Sequence, residues 1–377
     1  MAVLAGLALG FGCRRPPDPG APIRGLTRTE RDQFARGRGV FVREFTPESG
    51  LGPLFNAVSC GECHEDPAVG GVGDEIEVHA TAVRPDGTCD DLARLGGPVL
   101  QQHVTPLLHD ALGIEAEPTP SEATGTARRT TPLVMGLGLL DAVPDEAILA
   151  LADPDDRNGD GVSGRPNRSP DGRIGRFGRK AFVPTLREFN AGAFLFEQGV
   201  TTPDQLLEET VAGKPLPPGV DPAADPEIDR DEFDLADAFV RFLAPPASLR
   251  PTWESRSGAR IFASIHCSTC HAPRLKTGRS EVEALRYRTV AAYTDLLLHD
   301  MGPDLADVCL GLATPSEFRT APLMGLRLRS RFLHDGRAAS IDEAIRLHGG
   351  EAAGARDRSA ALSDADRRAL LAFLAKL

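Results

Sequence analysis

Two pentapeptides carry the chemistry of this chain. Cys60-Gly-Glu-Cys63-His64 and Cys267-Ser-Thr-Cys270-His271 each set two thiols three residues apart, with an imidazole directly after the second. C-x-x-C-H is the attachment signature of a c-type haem. Thiols at i and i+3 on one turn can each add to a porphyrin vinyl group, and the next residue then stands under the iron as proximal ligand. A zinc reading would need Cys and His from both pentads to converge on one tetrahedral ion. Two complete pentads in one chain instead predict two covalently bound c-type haems.

The elements that position these pentads also come in pairs. Gly37-Arg-Gly-Val40-Phe41 precedes the first and Gly258-Ala-Arg-Ile261-Phe262 the second. Gly, then an apolar residue and Phe ahead of the pentad, resembles the N-terminal helix of class I cytochrome c folds. Each half closes on a helical pattern. In residues 231–246 Leu235, Phe239 and Leu243 recur at i, i+4 and i+8. In residues 362–377 Ser363 and Asp366 give a capping-box-like start, and Leu370, Leu374 and Leu377 give the apolar stripe. Pro245-Pro246 stops the first helix, and Leu249-Arg250-Pro251 reads as a linker. A third repeat sets RTTPLVMGLGLL at 129–140 against RTAPLMGLRLR at 319–329. The expected fold is mainly α: two class I cytochrome c-like helical domains, 27–248 and 249–377, the first with a long loop-rich insertion.

Composition bounds the rest. The chain has 377 residues, 41 % of them hydrophobic, which suffices for a sizeable core. A net charge of −12 without a basic stripe excludes a nucleic-acid-binding role. The first twelve residues, MAVLAGLALGFG, are shorter than the ~20 apolar residues that span a bilayer and match a secretory leader. Cys13 follows at once, so residues 1–13 predict export and a lipidated N-terminus, with 14–26 as a Pro-rich tether. The remaining pair, Cys89 and Cys309, reads as a disulfide or as two buried thiols. Asp156, Asn158 and Asp160 fall at positions 1, 3 and 5 of an EF-hand-like loop, with Gly161 at 6 and the Val162 carbonyl at 7. That predicts a calcium ion, although Asn167 stands where the bidentate Glu belongs.

The segments GLGPLFNAVSCGECH, DGVSGRPNR, GRIGRFGRKA, LLLHDMGPDLADV, FRTAPLMGL and FLHDGRAASIDEAIRLHGGEA go further. Over residues 30–377 the chain resembles the di-haem oxidoreductase family of thiol oxidoreductases, a branch of the bacterial di-haem cytochrome c peroxidase superfamily. That superfamily includes the methylamine dehydrogenase maturation enzyme. The resemblance implies that His348, fourteen residues after His334, is the distal ligand of the C-terminal haem. Peroxidases carry Met there and the maturation enzyme Tyr. Met301 is the rival ligand, and His334 is expected at the haem edge or a propionate. The resemblance also implies a distal His for the N-terminal haem: His79, with His103 and His109 as weaker rivals. A strand-like alternation around His79 makes a surface His the plain alternative. If none binds, that iron is open to peroxide. Asp141 stands where the family carries an acid–base carboxylate, with Glu146 as the alternative. Arg129 and Arg319, at matched repeat positions, are expected to pair propionates. The family also implies tryptophans where this sequence has Arg179 and Met324. Phe177, Tyr287 or direct haem-edge transfer would then replace a Trp relay, because Trp253 is the only Trp.

The implied activity is reduction of hydrogen peroxide with electrons from a small redox protein, a cytochrome c or cupredoxin. The alternatives are a non-catalytic electron-transfer cytochrome and a haem-based oxidant of a protein or thiol substrate.

Overall fold

Two glycines set the closest helix contacts. Helix Arg28–Phe41 packs on helix Arg230–Phe242, and helix Trp253–Ser264 packs on helix Asp364–Leu374. A Cβ at Gly37 would stand 1.9 Å from the Leu235 carbonyl oxygen, and one at Gly258 would stand 1.9 Å from the Ala369 carbonyl oxygen. Only glycine admits such an approach. One turn later an aromatic pair seals each crossing: Phe41–Phe239 at 4.9 Å and Phe262–Phe373 at 5.4 Å between centroids. The caps are local. Thr27 and Glu30 form a capping box, and Asp229 and Ser363 accept from the amides of Glu232 and Asp366. Leu370, Leu374 and Leu377 are buried as their spacing predicts, and the Arg230–Phe242 helix ends three residues before Pro245.

This computed structural model describes residues 17–377. The leader and Cys13 lie outside the described residues, and no helix among them is long and apolar enough to cross a membrane.

The insertion holds more than loop. Strand Ile76–Val83 pairs antiparallel with Gly125–Thr130, from Ile76 against Thr130 to Thr81 against Gly125, and with the short strands Cys89–Asp90 and Val99–Leu100. Residues 79–82 are buried in succession, so both faces of the strand are covered. That corrects the alternation expected around His79, which is buried rather than on the surface. Helix Leu186–Gln198, capped by Thr185, brings Glu197 and Gln198 back to the first pentad.

The largest apolar cluster draws residues from both sides of the Pro-rich connection. It joins Phe34, Leu140, Phe177 and Phe239 to Leu275, Leu285, Leu297 and Met324. Cys89 and Cys309 are bonded, closing a sequence separation of 220 residues. Cross-links over long loops restrict the unfolded chain most, typically by about 2–5 kcal/mol. Cys89→Ser, Cys309→Ser protein is therefore expected to unfold at lower denaturant by about that amount. An unmoved denaturation midpoint would show the bond to be dispensable.

Four carboxyls of the insertion are pushed above the ordinary carboxylate range. Burial pushes Glu117 up to about 8 and Glu209 to about 7. Burial with neighbouring carboxylates pushes Glu208 to about 9 and Glu227 to about 7. At these four groups the folded chain holds more protons than the unfolded chain above pH 4.5, and the stability they contribute is lost as pH rises through 7–9. Glu117 accepts from the Gln101 amide at 3.1 Å, while its second oxygen is buried without a partner. Glu117→Gln is expected to stabilise the protein at pH 9 by on the order of 1–3 kcal/mol and to do little at pH 5. Denaturant titrations at the two pH values measure this; equal shifts at both would contradict it.

Candidate functional site

The first pentad begins as a single helical turn, Cys60–Cys63, whose cap Ser59 accepts from the Glu62 amide. The His64 amide donates to the Cys60 carbonyl at 3.1 Å, and its ring Nδ1 donates to the Gly71 carbonyl at 3.1 Å. The Pro132 carbonyl also lies beside the ring, and Nε2 is the nitrogen that would ligate an iron. Burial holds the ring below the ordinary imidazole range, so it is neutral, the form that binds a metal. Gln198 Nε2 lies 3.0 Å from Cys60 Sγ. Burial pushes Cys60 up to about 11 and Cys63 higher still, so neither is a thiolate at neutral pH.

Beside this pentad stands a carboxyl pair the sequence did not single out. Glu77, on strand Ile76–Val83, shares a hydrogen bond with Glu197 at the end of helix Leu186–Gln198. Glu197 is pushed well above the carboxylate range by burial and by the Glu77 charge. Burial opposes ionisation of Glu77 too, but His79 and Arg129 draw it down to about 2. One proton is thus shared, and it resides on Glu197. Asn56 Nδ2 donates to Glu197 at 3.0 Å. His79 lies on the same strand face as Glu77. Its Nε2 is 2.9 Å from Glu77 Oε1, an ion-pair contact that occupies this buried nitrogen. His103 and His109 are exposed, the latter beside Glu115.

The second pentad repeats the arrangement. The His271 amide donates to the Cys267 carbonyl at 3.0 Å, and its Nδ1 donates to the Tyr293 carbonyl at 3.0 Å. His348, just past helix Ile341–Arg346, donates from Nδ1 to the Ala344 carbonyl at 2.7 Å. Each ring keeps Nε2 free. Both line one cavity of about 420 Å³, together with Cys267, Cys270 and Met301. Burial and the neighbouring His348 lower His271 to about 4.

The opposite wall of the cavity is cationic. Arg179, Arg319 and Arg329 line it, packed deep among protein atoms and accessible only in part. Burial and mutual repulsion lower Arg179 to about 9. The same causes lower Arg319 to about 10. The Nε atoms of Arg319 and Arg329 have no partner. Buried guanidiniums without counter-charge call for an anion. His334 lines the same wall, stacked on Phe318 at 4.4 Å, with its pKa held at about 4 chiefly by burial. Two imidazoles, two thiols, an apolar lining and arginines with unpartnered Nε atoms around one cavity fit a haem and its propionates.

Sequence reasoning missed His299. It is buried, and its Nε2 and Nδ1 lie 2.8 Å from Asp295 and 2.8 Å from Glu351. Burial alone would discharge it, but hydrogen bonds to Asp295, Cys270 and Glu351 push it up to about 12.

Other expected residues are engaged elsewhere. Asp141 accepts from the Leu186 amide at 2.8 Å and pairs with Arg241 at 2.5 Å, so both oxygens serve the fold. Glu146 is exposed. Arg129 pairs with Asp307 at 2.8 Å rather than facing the cavity. Met324 and Phe177 are core, while Trp253 and Tyr287 are 81 % and 72 % exposed and unsuited to a buried relay. In the 156–162 loop the side chains of Asp156, Asn158 and Asp160 accept from the amides of Gly161, Asp160 and Val162. The described carboxylates whose oxygens all lie within 4.8 Å are instead Glu208, Asp221, Asp225 and Glu227.

No curated protein matches the chain. Several solved structures align along most of its length at low identity. The diheme peroxidase BthA of Burkholderia thailandensis is 16 % identical over 96 % of this chain and 89 % of that one, with a TM-score of 0.44. A MauG-like protein associated with microbial copper homeostasis is 15 % identical over 99 % and 95 %, with a TM-score of 0.41. The hydrazine synthase of Kuenenia stuttgartiensis is 13 % identical over 100 % and 99 %, with a TM-score of 0.42. The family profile described as "Di-haem oxidoreductase, putative peroxidase" matches residues 121–377, and the chain belongs to that family.

Proposed function

We propose that this protein is a c-type di-haem peroxidase built from two cytochrome c-like halves. Cys60 and Cys63 would bind one haem through thioethers and Cys267 and Cys270 the other, with His64 and His271 as proximal ligands. The overall reaction is H2O2 + 2 H+ + 2 e− giving two waters. When bound, the haems supply one-electron storage and, where a coordination position is open, peroxide activation.

The observation that carries this reading is the asymmetry between the two centres. His271 and His348 line one cavity, which suits a closed, low-spin centre that takes electrons from a small redox protein. Beside the first pentad the Glu77–Glu197 pair holds one proton on Glu197, positioned to be given to a departing oxygen. Arg319 and Arg329 would neutralise the propionates. His79 supports a second reading. Its buried Nε2, exchanging Glu77 for an iron, would close the first centre and leave a pure electron-transfer protein.

Electronic and EPR spectra of the holoprotein, as isolated and half-reduced, decide between them, together with peroxide turnover on a reduced donor cytochrome. One high-spin centre with turnover is expected. Two low-spin centres in every redox state, without turnover, would overturn the peroxidase reading.

Export, with lipidation at Cys13, completes the proposal. The Cys89–Cys309 bond supports it, because structural disulfides persist in oxidising compartments. A calcium ion held by Asp156, Asn158, Asp160 and the Val162 carbonyl belongs to the same reading.

A further inference from the structure

We propose that Asp295, His299 and Glu351 form a buried charge triad that sets the reduction potential of the haem in the second cavity. His299 is the positioning residue at its centre. The inference rests on the assignment of that cavity to a haem and not on the reaction at the first centre.

Asp295 and His299 are almost wholly buried, and the Glu351 side chain is 14 % exposed. Each ring nitrogen of His299 faces a carboxylate at 2.8 Å, so both must carry a proton and the ring is a cation. Two carboxylates and one imidazolium leave a net charge of −1. That charge lies at the edge of the porphyrin slot, because His299 Nδ1 is 3.7 Å from Cys270 Sγ and the ring lines the cavity.

The triad is fixed from outside the cavity. Ser163 donates to Glu351 from its amide at 3.0 Å and from Oγ at 2.7 Å. The Asp295 carboxylate accepts the Leu297 amide at 2.9 Å. Gly164 lets the chain lie flat on the imidazole, since a Cβ there would stand 2.7 Å from His299 Cε1.

A fixed negative charge in a poorly screened interior disfavours the reduced state of a nearby redox centre. The step it tunes is a one-electron reduction, ferric to ferrous, with the electron taken from the external reductant and no proton required. Removing one carboxylate should make that reduction easier.

The test is a spectroelectrochemical titration of the holoprotein with dithionite, following each haem by its own absorption. Take the potential at which the second haem of the unmodified protein is half reduced. In Glu351→Gln its reduced-to-oxidised ratio should rise about tenfold, equivalent to 59 mV for a one-electron couple. Asp295→Asn should shift it in the same direction. Ser163→Ala removes a hydrogen bond to the same carboxylate but no charge, and should leave the potential in place. The first haem serves as internal reference. Unmoved potentials in both carboxylate variants, or an equal shift in Ser163→Ala, would overturn the triad. A Cys267–His271 peptide released from the unmodified protein without covalent haem, read by mass spectrometry, would instead remove the haem assignment on which the triad rests. If Glu351→Gln fails to bind haem, Asp295→Asn alone decides.

Discussion

His348→Ala protein should lose the low-spin signature of one of its two haems and keep the other unchanged. The reasoning starts at the Ala344 carbonyl, which takes the Nδ1 proton and leaves Nε2 for the iron. Such a partner fixes both the tautomer and the ring direction of a ligand. Deleting the imidazole leaves a methyl group at the wall of a cavity of about 420 Å³, too short to reach any metal. Met301 lines the same cavity and gives the alternative outcome: if it is the ligand, His348→Ala leaves the spectrum intact and Met301→Ala changes it. His348→Met should remain low-spin with a raised potential, since His/Met ligation sits above bis-His. Near-infrared and EPR spectra distinguish the three cases without any turnover assay.

The second large effect is expected at Glu197. Glu197→Gln should lower peroxide turnover by about 10²–10⁴-fold, the range for losing a positioned general acid. Haem content and the spectrum of the second centre should be unchanged. Glutamine keeps the volume and can still accept from Asn56, but it cannot pass a proton. Asp141→Asn is the contrasting variant. It weakens a pair with Arg241 and a cap on Leu186, so it should lower stability, with turnover per folded molecule preserved. Equal loss of turnover in both variants would put the acid elsewhere.

The two carboxylates show where sequence reading succeeds and where it stops. Asp141 stands where the resembled family carries an acid–base carboxylate and looks catalytic in one dimension, yet a helix amide and an arginine occupy its oxygens. Glu197 sits in an ordinary amphipathic helix, and its partner Glu77 lies on a strand far away in sequence. Only the folded chain brings them together. The pentads were legible because their whole geometry is contained in five residues. Gly37 and Gly258 were legible as a repeated pattern, although their reason, a carbonyl 1.9 Å from any Cβ, belongs to tertiary packing. The family resemblance singled out His348 by its distance from His334, and the fold sets it on the cavity that His271 lines. His299 was not singled out, because nothing local marks a histidine that will be clasped by two carboxylates from different segments. The disulfide was legible only by subtraction, and the sheet of the insertion was hidden by the shortness of two of its strands.

One feature of the interior bears on motion. Residues from both sides of the Pro245–Pro251 connection share a single apolar cluster, and Cys89–Cys309 staples the two sides again. Hinge opening about that connection would expose the cluster and is therefore opposed by the interior itself. The spacing between the two metal centres is then a constant of the architecture, and with it the tunnelling distance. Any gating must come from small movements of single ligands or loops. A protease that nicks the connection should leave both fragments in one particle, still able to pass electrons between them.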